Sequence, residues 1–166
     1  FTAAAPLPKY ISDEFESRNI PVLEGWGLTE TSPCCTMTDR NYDRVPGIVG
    51  FPIPGVTIGL ADDGEILVKG PNVMPGYYNN NDSNAKCFTE DGYFCTGDIG
   101  EMTDQGLKLI TRKDRIFKLT NAEKVIPTEL ENMIIGKCHY ISHVLVEGSG
   151  KNYAAALLFP DKLVLH

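Results

Sequence analysis

The 166-residue sequence predicts an α+β chain, and three observations carry that prediction. Two β-rich runs, residues 56–60 and 65–69, flank Ala61-Asp62-Asp63-Gly64, and Asp-Gly between such runs signals a tight hairpin. Pro127-Thr128-Glu129-Leu130-Glu131 opens a helix, with Thr128 and Glu131 at the spacing of a capping box. Two apolar runs, residues 142–146 and 153–159, are joined by a Gly148-Ser149-Gly150 turn and read as strands.

The remaining elements fall around these. Residues 11–18 suit a short helix in which Ser12 caps and Asp13 and Glu14 occupy the favourable first turn. Residues 79–84 are a polar, Asn-rich loop tip, and residues 106–111 and 116–119 read as strands. The helix that starts at Pro127 should place Leu130, Met133 and Ile134 on one apolar face and stop near Gly136. His139 and His143 are four apart, but no third ligand accompanies them. The sequence contains no internal repeat and no low-complexity linker.

Composition excludes several function classes. Hydrophobic residues make up 42% of the chain, ordinary for a protein that buries a core. No stretch approaches the roughly 20 apolar residues of a membrane-spanning helix. Fifteen Lys and Arg against 22 Asp and Glu leave a net charge of -7, which argues against a large surface for the nucleic-acid backbone. A bound nucleotide remains compatible with that charge. Cys34, Cys35, Cys87, Cys95 and Cys138 are odd in number and lack C-x-x-C spacing, which points to reduced thiols in a cytoplasmic compartment and away from a zinc site or disulfide framework. The opening Phe1-Thr2-Ala3-Ala4-Ala5-Pro6-Leu7 has neither an initiator Met nor the pattern of a signal peptide, so the chain is expected to be an internal piece of a longer protein.

The chemistry concentrates first in Gly25-Trp26-Gly27-Leu28-Thr29-Glu30-Thr31-Ser32-Pro33. An aromatic ring, a flexible glycine, a hydroxyl and a carboxylate lie within a few positions. Together they offer a stacking surface, a donor for a phosphate oxygen and a hard oxygen ligand for Mg²⁺. A turn leading into a capped element uses the same residue types, so the segment decides nothing alone. It resembles the Y-G-x-T-E motif of the adenylate-forming (AMP-binding) superfamily, which includes acyl-CoA synthetases, peptide-synthetase adenylation domains and beetle luciferases.

Four further segments extend the resemblance in order. Ala4-Ala5-Pro6-Leu7 is similar to the family's G-G-A-P-L, with Ala3 and Ala4 where glycines are usual. Residues 64–71 and Met74-Pro75-Gly76-Tyr77-Tyr78 match G-E-[IL]-x-[VI]-[RK]-G-P…G-Y-[YW]. Tyr93-Phe94-Cys95-Thr96-Gly97-Asp98 matches [WY]-x-x-T-G-D. Residues 110–118 resemble G-R-x-x-D-x-I-K, and residues 121–127 continue as N-G-E-K-V-x-P usually does, with Ala122 in place of Gly. Five matches in the family's order, over nearly the whole chain, are what single short motifs lack in specificity.

The resemblance implies an architecture and a set of roles. Residues 1–112 would be the C-terminal part of a large AMP-binding domain, an α/β layer followed by a distorted antiparallel β-barrel subdomain. Residues 113–166 would be part of the small α+β C-terminal domain. Ala4, Ala5 and Pro6 would lie along the adenine, Gly27 would bind the nucleotide, and Trp26 would stack on the adenine or pack beside the acyl site, although a Trp at this position fills the core nearly as readily. Thr29 would bond the α-phosphate and Glu30 would hold Mg²⁺. Asp98 would accept both ribose hydroxyls and Arg112 would donate to the same ribose. Asp114 falls at the hinge about which the small domain swings between half-reactions. Lys118 would serve the second half-reaction. Turn-forming, capping and solvated-strand roles compete with each assignment, and Gly76, Tyr77 and Tyr78 read as structural.

The implied reaction joins a carboxylic acid, ATP and coenzyme A through an acyl-adenylate. The run from Lys118 to Pro127 is closer to long-chain fatty acyl-CoA synthetases than to the G-[YF]-[RQ]-[VI] form, favouring a fatty acid. Loading of a carrier protein and a binding-only relative are the alternatives. The family's Ser/Thr/Gly-rich phosphate loop and its C-terminal lysine motif do not occur in these residues, so the chain is expected to be inactive unaided. Its missing sheet partners are expected to leave apolar edges exposed, favouring self-association.

Overall fold

The computed structural model describes residues 1–3, 9–41, 44–45 and 47–164, and the chain divides into two compact units, Phe1–Leu109 and Ile110–His166. The first unit begins with helix α1 (Lys9–Ser17). Short strands β1 (Gly25–Trp26), β2 (Thr36–Met37) and β3 (Phe51–Pro52) form an antiparallel three-stranded sheet in that order. Strands β4 (Thr57–Leu60) and β5 (Glu65–Lys69) pair antiparallel with Leu60 opposite Ile66. The expected hairpin is thus present, its turn closed by the Gly64 N–H donating to the Ala61 carbonyl at 2.9 Å.

Helix α2 (Asn81–Cys87) follows, then β6 (Phe94–Thr103) and β7 (Gly106–Arg112), which complete a curled antiparallel sheet ordered β4-β5-β6-β7. On β5 Ile66 and Val68 point into the core with no exposed surface, joining Trp26, Cys35, Val49, Val56 and Leu107 in one cluster. Alternation along the strand therefore sends one face inward, as the period of two requires.

In the second unit, β8 (Phe117–Lys118) and β9 (Lys124–Val125) form a small hairpin, followed by α3 (Pro127–Lys137) and the antiparallel pair β10 (Ile141–Glu147) and β11 (Ala155–Pro160). Among the described residues, no helix is long and apolar enough to cross a membrane.

Several local expectations need correction. Ser12 does not cap α1, which starts at Lys9; it sits inside the helix with 1% exposure, and Glu14 is paired along the helix with Arg18. The Asn-rich tip is partly helical, because the Asn80 side chain accepts the Ser83 N–H at 3.1 Å and so starts α2. No capping box forms on α3. Its N-cap is Ile126, Pro127 takes the first turn, and the two expected capping side chains are engaged elsewhere. The Thr128 hydroxyl pairs with that of Thr111 at 2.8 Å. Glu131 is 7% exposed and accepts from both Arg115 Nη2 (2.7 Å) and the Val146 N–H (2.9 Å). Leu130, Met133 and Ile134 all lie on α3, but their shared face is only partly covered: Leu130 and Met133 are 38% and 54% exposed, and Ile134 is half-buried. Leu157, Leu158 and Phe159 of β11 are also exposed, as expected for strands lacking a cover.

Candidate functional site

Residues 27–38 fold back on themselves immediately after β1. A Cβ at Gly27 would lie 2.0 Å from the Pro33 carbonyl oxygen, so this close crossing of two backbones admits only glycine. The buried Thr31 hydroxyl accepts the Leu28 N–H at 2.9 Å and tightens a single 3₁₀ turn, Thr29–Thr31. Three bonds fasten this turn and the residues after it to the segment beyond β5. Asn72 Nδ2 donates to the carbonyls of Thr31 and Cys34, both at 3.0 Å, and the Met74 N–H donates to the Glu30 carbonyl at 2.8 Å. The result leaves the Thr29 side chain exposed and the Glu30 side chain half-buried at the surface of the unit.

Glu30 also has a side-chain partner. Tyr77 donates its phenolic hydroxyl to Glu30 Oε1 at 2.8 Å, and that hydrogen bond to the carboxylate raises the Tyr77 pKa above its ordinary value. Tyr77 was expected to be structural only; the signal for this contact lies 47 residues away and nothing local encodes it.

Asp98 reaches the same unit by a different device. Between the pairs Leu67–Cys95 and Glu65–Ile99, β6 carries extra residues relative to β5, a bulge centred on Thr96-Gly97-Asp98. Gly97 adopts φ 72°, a left-handed conformation that other residues take at a cost. Its N–H donates to Glu65 Oε1 at 2.9 Å, while the buried Thr96 hydroxyl donates to the Ile66 carbonyl at 2.7 Å and accepts the Asp98 N–H at 3.1 Å. The bulge thus re-aims Asp98, whose Oδ2 accepts the Trp26 indole N–H at 2.8 Å. Trp26 is 6% exposed and belongs to the core cluster, so its ring fills the interior and its nitrogen holds the carboxylate.

The first unit therefore brings together Trp26 with Asp98, and Glu30 with Tyr77. Ala4, Ala5 and Pro6 lie outside the described residues. Arg112, Asp114 and Lys118 belong to the second unit. Arg112 ends β7 with its Nε 3.8 Å from Asp114 Oδ1, and Asp114 lies in a 3₁₀ turn, Lys113–Arg115, with its side chain 76% exposed. Lys118 is exposed on β8, directly opposite Lys124. Arg115, not singled out by any motif, anchors this turn to α3 through Glu131.

No group of three or more His, Cys, Asp or Glu residues is clustered among the described residues. A lone carboxylate such as Glu30 suits Mg²⁺, which takes one or two protein carboxylates and completes its shell with water and substrate phosphates. The donor set does not suit zinc or calcium, which need more protein ligands. All five cysteines are free thiols, and burial pushes the Cys35 thiol pKa up.

Comparison with known proteins adds three findings. The family model described as AMP-binding enzyme matches residues 1–78, and that described as AMP-binding enzyme C-terminal domain matches residues 114–165. The long-chain-fatty-acid–CoA ligase FadD15 of Mycobacterium bovis is 36% identical over 162 residues, 96% of this chain and 26% of its own length. Long-chain-fatty-acid–CoA ligase 6 of Rattus norvegicus is 36% identical over 178 residues, covering 99% of this chain and 25% of its own length. Among solved structures, O-succinylbenzoate coenzyme A synthetase from Bacillus subtilis, in complex with ATP and magnesium ion, superposes with a TM-score of 0.82 at 27% identity, covering 96% of this chain and 36% of that one. The chain spans about a quarter of the length of these curated relatives.

Proposed function

The chain belongs to the AMP-binding enzyme family, and from that premise we propose that the whole protein is an ATP-dependent acid–thiol ligase that converts a fatty acid to its coenzyme A thioester. Two steps make up the reaction. A carboxylate oxygen attacks the α-phosphorus of ATP, the bond to the bridging oxygen breaks, and pyrophosphate leaves. The thiol of coenzyme A, giving its proton to solvent, then attacks the acyl carbon; the bond from that carbon to the phosphate oxygen breaks and AMP departs, a far better leaving group than the hydroxide that the free acid would have to expel. The observation that carries this reading is the 2.8 Å bond from Trp26 to Asp98, which ties the Trp26–Glu30 loop to the Thr96–Asp98 bulge across 72 positions of sequence.

Each residue has a part in this scheme. Asp98, fixed by Trp26, uses its two oxygens to accept the ribose hydroxyls and so orients the α-phosphate. Thr29, exposed on its turn, donates to an α-phosphate oxygen as negative charge builds there. Glu30 holds Mg²⁺, whose chemistry when bound is to offset charge on the phosphate oxygens. Gly27 shapes the loop, and the motif resemblance alone assigns Ala4, Ala5 and Pro6 to the adenine. Arg112 adds a planar donor to the ribose. Residues 1–112 supply the large-domain part of the site and residues 113–166 belong to the small domain, which turns about Asp114 between the two steps to bring Lys118 to the thioester-forming geometry. Five unpaired thiols support a cytoplasmic location as part of this proposal.

Pyrophosphate release by the full-length protein, with ATP, Mg²⁺ and a panel of carboxylic acids, tests the proposal. Release with fatty acids should fall by about 100-fold in Asp98→Ala and in Glu30→Ala, the cost of two or more charged hydrogen bonds. Adding coenzyme A in place of a phosphopantetheinylated carrier should yield the thioester. Failure of every acid to release pyrophosphate from folded wild-type protein would replace the ligase by a binding-only relative, and thioester formed only on a carrier would change the acceptor.

A further inference from the structure

The segment Gly76-Tyr77-Tyr78 is left without a role by the scheme above, yet it makes side-chain contact with Glu30. Starting from α2, a chain of bonds leads to the carboxylate. Asn84 Oδ1 accepts the Tyr77 N–H at 2.7 Å, and Asn84 Nδ2 donates to the Tyr77 carbonyl at 3.0 Å. One side-chain amide therefore clamps both backbone groups of Tyr77 in a pair of bonds that fixes the orientation of the residue. The clamp requires close approach: a Cβ at Gly76, where φ is 142°, would come 2.9 Å from Asn84 Oδ1. From this fixed backbone the Tyr77 hydroxyl reaches Glu30 Oε1 at 2.8 Å. Glu30 is held at the other end by its own carbonyl, which accepts the Met74 N–H.

We infer that Tyr77 is a positioning residue for the metal-binding carboxylate of Glu30, and that Asn84 is the part of α2 that holds Tyr77 in place. This rests on the reading of Glu30 as the Mg²⁺ ligand. A Glu side chain has three rotatable bonds, and one on the surface samples several rotamers; ordering it on metal binding costs free energy. The Tyr77 bond to Oε1 restricts those rotamers before the metal arrives, so that the carboxylate would meet it already ordered. Tyr77 touches neither nucleotide nor acyl group in this scheme, so its effect should be confined to the metal.

Full-length Tyr77→Phe, Asn84→Ala and Glu30→Gln test this, each compared with wild type in two measurements. The first is the free Mg²⁺ concentration for half-maximal pyrophosphate release. The second, independent of turnover, is Mn²⁺ binding in the presence of a non-hydrolysable ATP analogue, followed by electron paramagnetic resonance. Loss of one charge-assisted bond should raise the half-saturating Mg²⁺ and weaken Mn²⁺ binding by about 5- to 10-fold in Tyr77→Phe, with the KM for the fatty acid unchanged. Asn84→Ala should do the same in the same direction, and the double variant should add little to either. Unaltered metal affinity in both Tyr77→Phe and Asn84→Ala, while Glu30→Gln abolishes it, overturns the inference and leaves the ligase reading standing. Unaltered metal affinity in Glu30→Gln overturns the assignment of Glu30 itself, and the inference with it.

Discussion

The Trp26 indole N–H and the Asp98 carboxylate meet at 2.8 Å inside the first unit, joining the end of β1 to a bulge in β6. A half-buried carboxylate gains from a donor on its covered side, and the indole N–H is donor only, so the pair is matched in kind. Trp26→Phe keeps most of the ring in the core and deletes the donor. The expected result is a rise of about 5- to 10-fold in the KM for ATP, with the KM for the carboxylate unchanged. Steady-state pyrophosphate release at varied ATP checks it; an unchanged KM for ATP means Asp98 is positioned without the indole.

Glu131 is the equivalent tie in the second unit. Replacing it by Ala leaves the Val146 N–H without its acceptor and Arg115 without its carboxylate. Arg115 is 40% exposed in its side chain, so its loss is softened by solvent; the buried amide dominates, at about 1–3 kcal/mol. Hydrogen exchange at the Val146 amide should accelerate by about tenfold or more in Glu131→Ala. Exchange as slow as in wild type would assign that amide another acceptor.

Cys35 has no exposed surface, and burial disfavours its thiolate. Its folded pKa therefore lies above its unfolded value, so the unfolded chain gives up this proton first as pH rises. The neutral thiol contributes its full stability below the unfolded thiol range of about 8.5, and that contribution is lost as pH climbs through the folded value. At pH 8 a thiol reagent should label half-buried Cys34 well before Cys35, as mass spectrometry of the peptides would report. Labelling of Cys35 at the rate of Cys34 would mean that the loop opens readily.

The contrast between elements explains what a sequence discloses. The β4–β5 hairpin was legible because its turn chemistry is local: Asp-Gly, a positive φ at Gly64 and two β-rich flanks. The capping box on α3 was not, because Thr128 and Glu131 have the right spacing but find better partners in Thr111, Arg115 and Val146, which are distant in sequence. The same holds in the candidate site. Thr29, Glu30, Asp98 and Arg112 stood out through ordered motifs, whereas the contacts Trp26–Asp98 and Tyr77–Glu30 span 72 and 47 positions and exist only once the sheet has curled. Asn84 was hidden for a further reason: in an Asn-rich run, nothing marks the one side chain that clamps a backbone.

Ala122 offers a prediction about the hairpin that carries Lys118. It closes the β8–β9 turn with its N–H donating to the Leu119 carbonyl at 3.0 Å, and its φ of 65° is left-handed. There the Cβ crowds the following carbonyl, at a cost of about 1 kcal/mol that glycine does not incur. Glycine also widens the unfolded ensemble, which removes part of the gain. The net expectation for Ala122→Gly is a hairpin stabilised by several tenths of a kcal/mol. The Leu119 N–H, which donates to the Glu123 carbonyl across the turn at 3.0 Å, is the reporter. Its hydrogen exchange should slow by about two- to fivefold in Ala122→Gly, since exchange through local opening tracks that free energy. Faster exchange would mean that the methyl group makes contacts worth more than the strain it introduces.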